Sequence, residues 1–235
     1  MRCLSLPEFC RMEKERGWVH MGDEKAAIGV LGLQGAVQEH LKQIENLGFK
    51  GINVKNPDQF DLIDGLIIPG GESTAIKNLM TRYGFMEPIK NFSQTGKPIL
   101  GTCAGMVLLA KEISESEEVH LGLMDIKVKR NAFGRQRDSF EVALDVKGLQ
   151  HPFPSVFIRA PYIEAAGKAD VEVLAVYNEK IVAARQGNLV VSSFHPELTT
   201  DIRFLELFTE MVTARNLPRE VPKEVPVTPR ILSKM

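Results

Sequence analysis

The sequence predicts a single three-layer α/β/α domain with a mainly parallel central sheet and antiparallel additions. Three observations carry that prediction. Short apolar runs alternate with segments of helical spacing between Ala27 and Ala110, and strand–helix alternation builds a parallel sheet covered on both faces. The 235 residues, 44% of them hydrophobic, suffice for one sizeable core and would leave two domains cramped. A cysteine between glycines, Gly101-Thr102-Cys103-Ala104-Gly105, ends one apolar run and opens the next, as at a sharp strand-to-helix turn of an α/β sheet.

Residues 1–24 are mixed in charge and aperiodic, and are expected to lie outside the fold; Met21 stands just before the domain, so residues 1–20 read as an upstream addition. Ala27 to Leu33 is the first buried strand. Val37, Leu41, Ile44 and Leu47 recur at helical spacing, and Gly48 supplies a C-terminal stop. Gly51–Lys55 and Gly65–Pro69 are further strands, followed by helices near Ala75–Tyr83 and Met86–Gln94. Pro98-Ile99-Leu100 leads into the cysteine turn, and Met106 to Ala110 continues as helix. From Met124 to Val191 the period changes to alternation, as in Phe140–Val146 and Val171–Val176, which predicts antiparallel strands. Ile202, Leu205, Phe208 and Val212 form a closing amphipathic helix capped by Thr200 or Asp201. The domain is thus expected over 25–216. In 217–235, prolines at 218, 222, 226 and 229 prevent regular helix, so the tail is expected to run over the surface or stay without fixed structure.

Cys103 sits where a thiol can act as a nucleophile, because an elbow holds it in strained backbone between a closely packed strand and helix. Unpaired N–H groups at the start of that helix favour a thiolate there. Taken alone, such a cysteine is equally compatible with a small buried hydrophobe. Phe194-His195-Pro196-Glu197 supplies the rest of the chemistry. Residues two apart on an extended segment share a face, and the residue before a proline favours extension, so His195 and Glu197 are expected side by side. A carboxylate so placed fixes the imidazole tautomer while the other ring nitrogen exchanges a proton with the nucleophile. Pro69-Gly70-Gly71-Glu72-Ser73-Thr74 follows a buried strand. Paired glycines there let the backbone close on a ligand, with Gly71 N–H as an oxyanion donor and Ala104 N–H as the second. Ser73 or Thr74 is the expected N-cap of the helix that follows.

With Cys103, His195, Glu197 and the Pro-Gly-Gly-Glu-Ser loop in this order, the chain resembles the class I (triad) glutamine amidotransferases, whose fold is flavodoxin-like. More narrowly, it is similar to the glutaminase subunits of two-component pyridoxal 5'-phosphate synthases. The narrower likeness rests on Gly32-Leu33-Gln34-Gly35-Ala36-Val37 with Glu39-His40, Pro69–Thr74, Gly101–Gly105, Arg130-Asn131-Ala132-Phe133-Gly134-Arg135-Gln136, Phe157-Ile158-Arg159-Ala160-Pro161 and Ser193–Leu198. The resemblance implies that Gly71, Glu72, Ser73, Arg130, Ile158 and Arg159 contact L-glutamine, that its amide is hydrolysed through a γ-glutamyl thioester, and that ammonia passes to a docked synthase subunit; the expected fold places Gln34 beside the active-site edge of the sheet, where contacts that couple the two subunits are expected. An arginine fork suits the α-carboxylate, and Glu72 is a candidate for the α-ammonium unless loop geometry or the partner interface claims it. No cofactor and no metal are implied, since pyridoxal 5'-phosphate would be the product of the complex. Other readings on the same residues are the ammonia donor of a different biosynthesis, a free-standing γ-glutamyl hydrolase, and a noncatalytic regulatory relative, which the complete triad disfavours.

A formal charge of −1 gives no reason to expect nucleic acid or a membrane surface as partner. Lys127, Lys129, Arg130, Arg135 and Arg137 do make a local basic stretch, which without context reads as a solvated face. Cysteines at 3, 10 and 103 form no disulfide framework, and a reduced, cytoplasmic setting suits a catalytic thiol. No apolar stretch approaches the roughly 18 residues of a membrane span. Glu8, Arg11, Glu13, Lys14, Glu15 and Arg16 interrupt any secretion signal.

Overall fold

The computed structural model describes residues 25–130, 139–167 and 170–216. The expected extension 1–24, the tail 217–235, and Asn131 to Gln136 with Arg137 lie outside the described residues. The first half alternates as the sequence predicts: β1 (Ala27–Leu31), α1 (Val37–Asn46), β2 (Lys50–Val54), β3 (Gly65–Ile68), α2 (Ser73–Arg82), α3 (Met86–Gln94), β4 (Ile99–Thr102) and α4 (Ala104–Leu109). The second half is mostly strand: β5 (Ala110–Ile113), β6 (Met124–Lys129), β7 (Phe140–Leu144), β8 (Phe153–Phe157), β9 (Tyr162–Ala166), β10 (Glu172–Tyr177), β11 (Lys180–Gln186) and β12 (Leu189–Ser192), closed by α5 (Arg203–Asn216).

Ten strands form one sheet in the order β2-β1-β3-β4-β12-β11-β9-β6-β5, with β10 paired to β11. From β2 to β12 the neighbours run parallel; β11 then turns antiparallel to β12, to β9 and to β10. β7 and β8 make a separate antiparallel pair. Residues of the parallel strands alternate between two cores. Leu66 and Ile68 of β3 enter one cluster while Ile67 enters the other, and Leu189 and Val191 of β12 part from Val190 in the same way. The first cluster holds Ile76 and Met80 of α2, Ile89 of α3 and Met106 of α4; the second holds Ile44 of α1 and Phe204, Phe208 and Val212 of α5. Strands buried on both faces cannot show a polar face, which is why they read as continuous apolar runs. Each fully buried phenylalanine in these layers stabilises the fold by about 1.5–3 kcal/mol relative to exposure.

Several local expectations are corrected. β1 ends at Leu31, where its pairing with Val54 of β2 closes with the bond from Gly32 N–H to Val54 O and the chain then turns. α2 begins at Ser73 rather than Ala75, and its N-cap is Glu72, not Ser73 or Thr74: the Glu72 carboxylate accepts from Thr74 N at 3.0 Å and Ala75 N at 2.7 Å. Asp201, one of the two expected caps, accepts from Arg203 N at the start of α5. The expected stripe of α1 packs on the core, Ile44 inside it and Val37, Leu41 and Leu47 partly buried against it, but the helix also buries two polar residues, His40 and Gln43. Among the described residues no helix is long and apolar enough to cross a membrane.

Register places the chemistry. Ile68 lies beside Gly101 and Ser192 beside Thr102, so the carboxyl ends of β3, β4 and β12 finish side by side. The loops leaving them carry Gly70-Gly71, Cys103 and His195, in the crevice where α/β sheets bind ligands.

Candidate active site

Cys103 has φ 49° and ψ −102°, a conformation that costs an L-residue about 1–3 kcal/mol and persists because its surroundings impose it. Its N–H donates to Ser192 O of β12 at 2.7 Å, and its carbonyl accepts from Met106 N at 3.1 Å. The flanking glycines are required by packing. A Cβ on Gly105 would stand 2.2 Å from Ile68 O, and one on Gly101 would stand 2.7 Å from the Gly105 carbonyl carbon. The thiol is nearly covered, at 7% exposure, with Sγ 3.9 Å from Ile158 O.

His195 leaves β12 with its N–H donated to Val156 O at 2.8 Å. Its Nδ1 stands 2.7 Å from Glu197 Oε1, so Nδ1–H donates to the carboxylate and Nε2 is left for the thiol. The expected side-by-side pair is present, but by a different route: His195 is the cap of a 3-10 turn, Pro196–Leu198, and that turn rather than an extended strand brings the carboxylate back to the ring. Burial pulls the His195 pKa down, yet its hydrogen bonds to Cys103 and Glu197 outweigh that and raise it to about 10. Burial likewise pushes the Glu197 carboxyl up, and neighbouring His40 and His195 hold it below the usual carboxylate range.

The glycine loop closes over this pair. A Cβ on Gly70 would fall 2.4 Å from His195 Cε1 and 3.3 Å from Cys103 Cβ, so only glycine fits. Gly71 has φ +154°, and Gln34 Oε1 accepts the next N–H, that of Glu72, at 3.3 Å. Gln34 therefore touches the loop carrying the candidate oxyanion donor. Burial acts to raise the Glu72 carboxyl, but the two backbone N–H groups it caps, with Arg130, hold it low and anionic. Gln34, Gly71, Glu72, Ser73, Cys103, Ala104, Arg130, Ile158, Arg159 and His195 line one cleft of about 470 Å³, while Glu197 is buried behind it. Arg159 is held at φ 46°, a second strained residue on the cleft wall. A larger hollow of about 650 Å³ lies at the amino ends of β4 and β12, near Pro98 and Asn188, and contains no residue of the triad.

Sequence reasoning missed two residues behind the cleft. His40 Nε2 is 3.4 Å from both Glu197 Oε2 and Thr102 Oγ1, and Gln43 Nε2 donates to Pro196 O and Thr199 O, each at 3.0 Å. The available signal was two polar residues, three apart, on the stripe of α1 that carries Ile44.

The packing of Gly70 makes a sharp prediction. In Gly70→Ala the added methyl must displace the imidazole, and a displacement of about 1 Å costs on the order of 10²-fold in turnover. The expected result is that loss in steady-state turnover with a melting temperature close to that of the parent. Unchanged turnover would mean that the loop does not rest on His195.

A cysteine elbow beside a histidine–carboxylate pair, at the carboxyl ends of a parallel sheet, is the geometry of a thiol-dependent acyl-transfer enzyme. Residues 30–214 match the SNO glutamine amidotransferase family, and the chain belongs to that family. A Bacillus velezensis protein named pyridoxal 5'-phosphate synthase subunit PdxT is 59% identical over 184 residues, covering 78% of this chain and 93% of the relative. The Geobacillus kaustophilus protein of the same name is 58% identical over 185 residues, 79% of this chain and 94% of its own. Among solved structures, a glutamine amidotransferase superposes with TM-score 0.75 at 43% identity, covering 79% of this chain and 98% of that one. The PurLQS structure from Thermotoga maritima superposes with TM-score 0.58 at 18% identity, covering 83% of this chain and 100% of the matched one, and shares the fold.

Proposed function

We propose that this chain hydrolyses L-glutamine to L-glutamate and ammonia, and delivers the ammonia to a synthase subunit that makes pyridoxal 5'-phosphate. The observation that carries the reading is the convergence of Gly71, Cys103 and His195 on one cleft, with Glu197 on the far side of the imidazole. Two relatives more than half identical along nearly their whole length, named as subunits of that synthase, support the pathway.

Arg130 and Arg159 take the α-carboxylate, and Glu72, already anionic, faces the α-ammonium. Ser73 and Ile158 complete the walls. Cys103 attacks the γ-carbonyl as thiolate; the carbonyl electrons move onto oxygen, which the N–H groups of Gly71 and Ala104 stabilise. Collapse of that intermediate breaks the C–N bond as His195 gives its proton to departing ammonia. His195 then takes a proton from water, whose oxygen opens the γ-glutamyl thioester and returns the thiolate. Glu197 keeps the imidazole oriented throughout and stabilises its charged form. No cofactor or metal enters. Free ammonia is largely protonated near neutral pH and is then no nucleophile, so the product needs a sheltered path to the second active site. The setting is cytoplasmic, where the thiol stays reduced.

The purified chain alone is expected to be a poor glutaminase, rising about 10²- to 10³-fold with the synthase subunit, the value of one oxyanion donor. Gly71 can turn its N–H at little steric cost, and Gln34, bonded to the adjacent Glu72 N–H, is the contact through which a docked partner reorders the loop. Glutamine hydrolysis with and without that subunit is the measurement. Full activity alone, unchanged by the partner, points instead to a free-standing γ-glutamyl hydrolase.

A further inference from the structure

We infer that His40 is a positioning residue for the hydrolysis proposed above, its Nε2–H holding the second carboxylate oxygen of Glu197 so that the first stays on His195. This inference rests on the glutaminase reading and extends it one residue deeper. Glu197 uses Oε1 for His195 at 2.7 Å. Its Oε2 is buried with no hydrogen-bond partner among the described residues, and the ring nitrogen facing it, His40 Nε2, stands 3.4 Å away. The His40 Nδ1 is likewise buried without a partner among the described residues. A neutral imidazole carries one proton, and the carboxylate beside this ring faces Nε2, so that is where the proton lies. Burial, the largest influence on His40, keeps the ring neutral despite Glu197.

A packing role alone does not account for a histidine here. The residue is 1% exposed on the buried stripe of α1, next to Ile44, and burying an imidazole with one nitrogen unpaired costs more than burying leucine or methionine in the same space. Gln43, on the same face, fixes the Pro196 and Thr199 carbonyls, so α1 grips the backbone on both sides of Glu197 as well as its side chain. The same His40 Nε2 lies 3.4 Å from Thr102 Oγ1, in the residue before the nucleophile. One ring therefore spans the segment bearing the acid and the strand bearing the thiol. A carboxylate with an N–H facing its second oxygen is less free to rotate away from His195 than one held at Oε1 alone, and outer partners of this kind are worth about 10- to 100-fold in activity where they have been removed from metal sites.

The ionisable groups acting on His195 are Cys103 from the elbow and Glu197 from its own segment; those acting on His40 are Glu197, His195 and Glu39. His195 must be protonated to release ammonia. When the carboxylate turns from Nδ1, the imidazolium loses stabilisation, its proton leaves at lower pH, and the alkaline limb of the rate profile moves down.

The experiment compares parent, His40→Leu and His40→Gln in the presence of the synthase subunit, reading kcat, KM and the pH profile. In His40→Leu, kcat falls about tenfold or more, KM for glutamine stays within about threefold because the glutamine contacts lie on the other side of the thiol, and the alkaline limb shifts down. Glutamine at position 40 places an amide N–H near the histidine Nε2 and restores both kcat and the limb. Parental kcat and limb in His40→Leu, a loss that His40→Gln does not restore, or a parallel rise in KM each overturns the inference. Should His40→Leu not fold, His40→Asn, whose amide is too short to reach Oε2, replaces it, and equal kcat in His40→Asn and His40→Gln overturns the inference. Cys103→Ala in the same assay separates the two levels: substantial turnover there removes the glutaminase reading itself, whereas its loss together with unaffected His40 variants removes only the role of His40.

Discussion

Cys103→Ala is expected to abolish glutamine hydrolysis, by about 10⁴-fold or more, while glutamine still binds. Loss of a nucleophile from a triad removes covalent catalysis entirely, and residual rates come only from the oxyanion donors and binding. The contacts to the amino-acid end of glutamine are proposed for Arg130, Arg159 and Glu72, none of which depends on Sγ. Calorimetric titration should therefore give a dissociation constant within about tenfold of the parent, beside a kcat at background. The fold is not at stake, since the backbone at this position is held by bonds to Ser192 and Met106 that alanine keeps. Cys3→Ala and Cys10→Ala should be silent. Substantial turnover in purified Cys103→Ala would place the active site elsewhere.

His195→Ala should be about as damaging as the cysteine variant, whereas Glu197→Gln should leave measurable activity. The members of a triad act as a unit, and the orienting acid is the least costly to remove. Here the difference has a local cause. His195 is the one imidazole lining the cleft among the described residues, so its loss removes the group proposed to move the proton between thiol, ammonia and water. Without the Glu197 charge the imidazole remains beside Cys103 but loses one of the two partners that raise its pKa to about 10, so its alkaline limb shifts down and its orientation loosens. Steady-state rates of the three variants across pH decide the order. A Glu197→Gln enzyme slower than His195→Ala would reverse the roles.

The cleft was legible where its chemistry is written in short strings. Glycine on both sides of Cys103 is required by contacts of 2.2 and 2.7 Å to backbone atoms that any side chain would violate. His195 and Glu197 are two residues apart, so their pairing needs only a local turn, though that turn proved to be 3-10 rather than extended. The helical stripe of α1 was legible as a core-facing stripe but incomplete, because two of the residues that it buries are polar and partnered by a segment far along the chain. Glu72 is similar. Its type suggested a ligand contact, and the structure spends its carboxylate first on the N-terminus of α2. Antiparallel additions were visible as alternation, but β11, which joins them to the parallel half, was not, since three of its inner residues are buried in sequence and hide the period.

By itself, then, the sequence determined the fold class and pointed to Cys103, His195, Glu197 and the glycine loop as one site, since each depends on spacing over a few residues and on steric limits that hold anywhere. Tertiary structure decided that β12 inserts beside β4, which alone brings His195 to Cys103, and that His40 and Gln43 of α1 stand behind Glu197. Those decisions rest on pairings between distant parts of the chain, where burying a polar group is tolerable only because its partner arrives from another element.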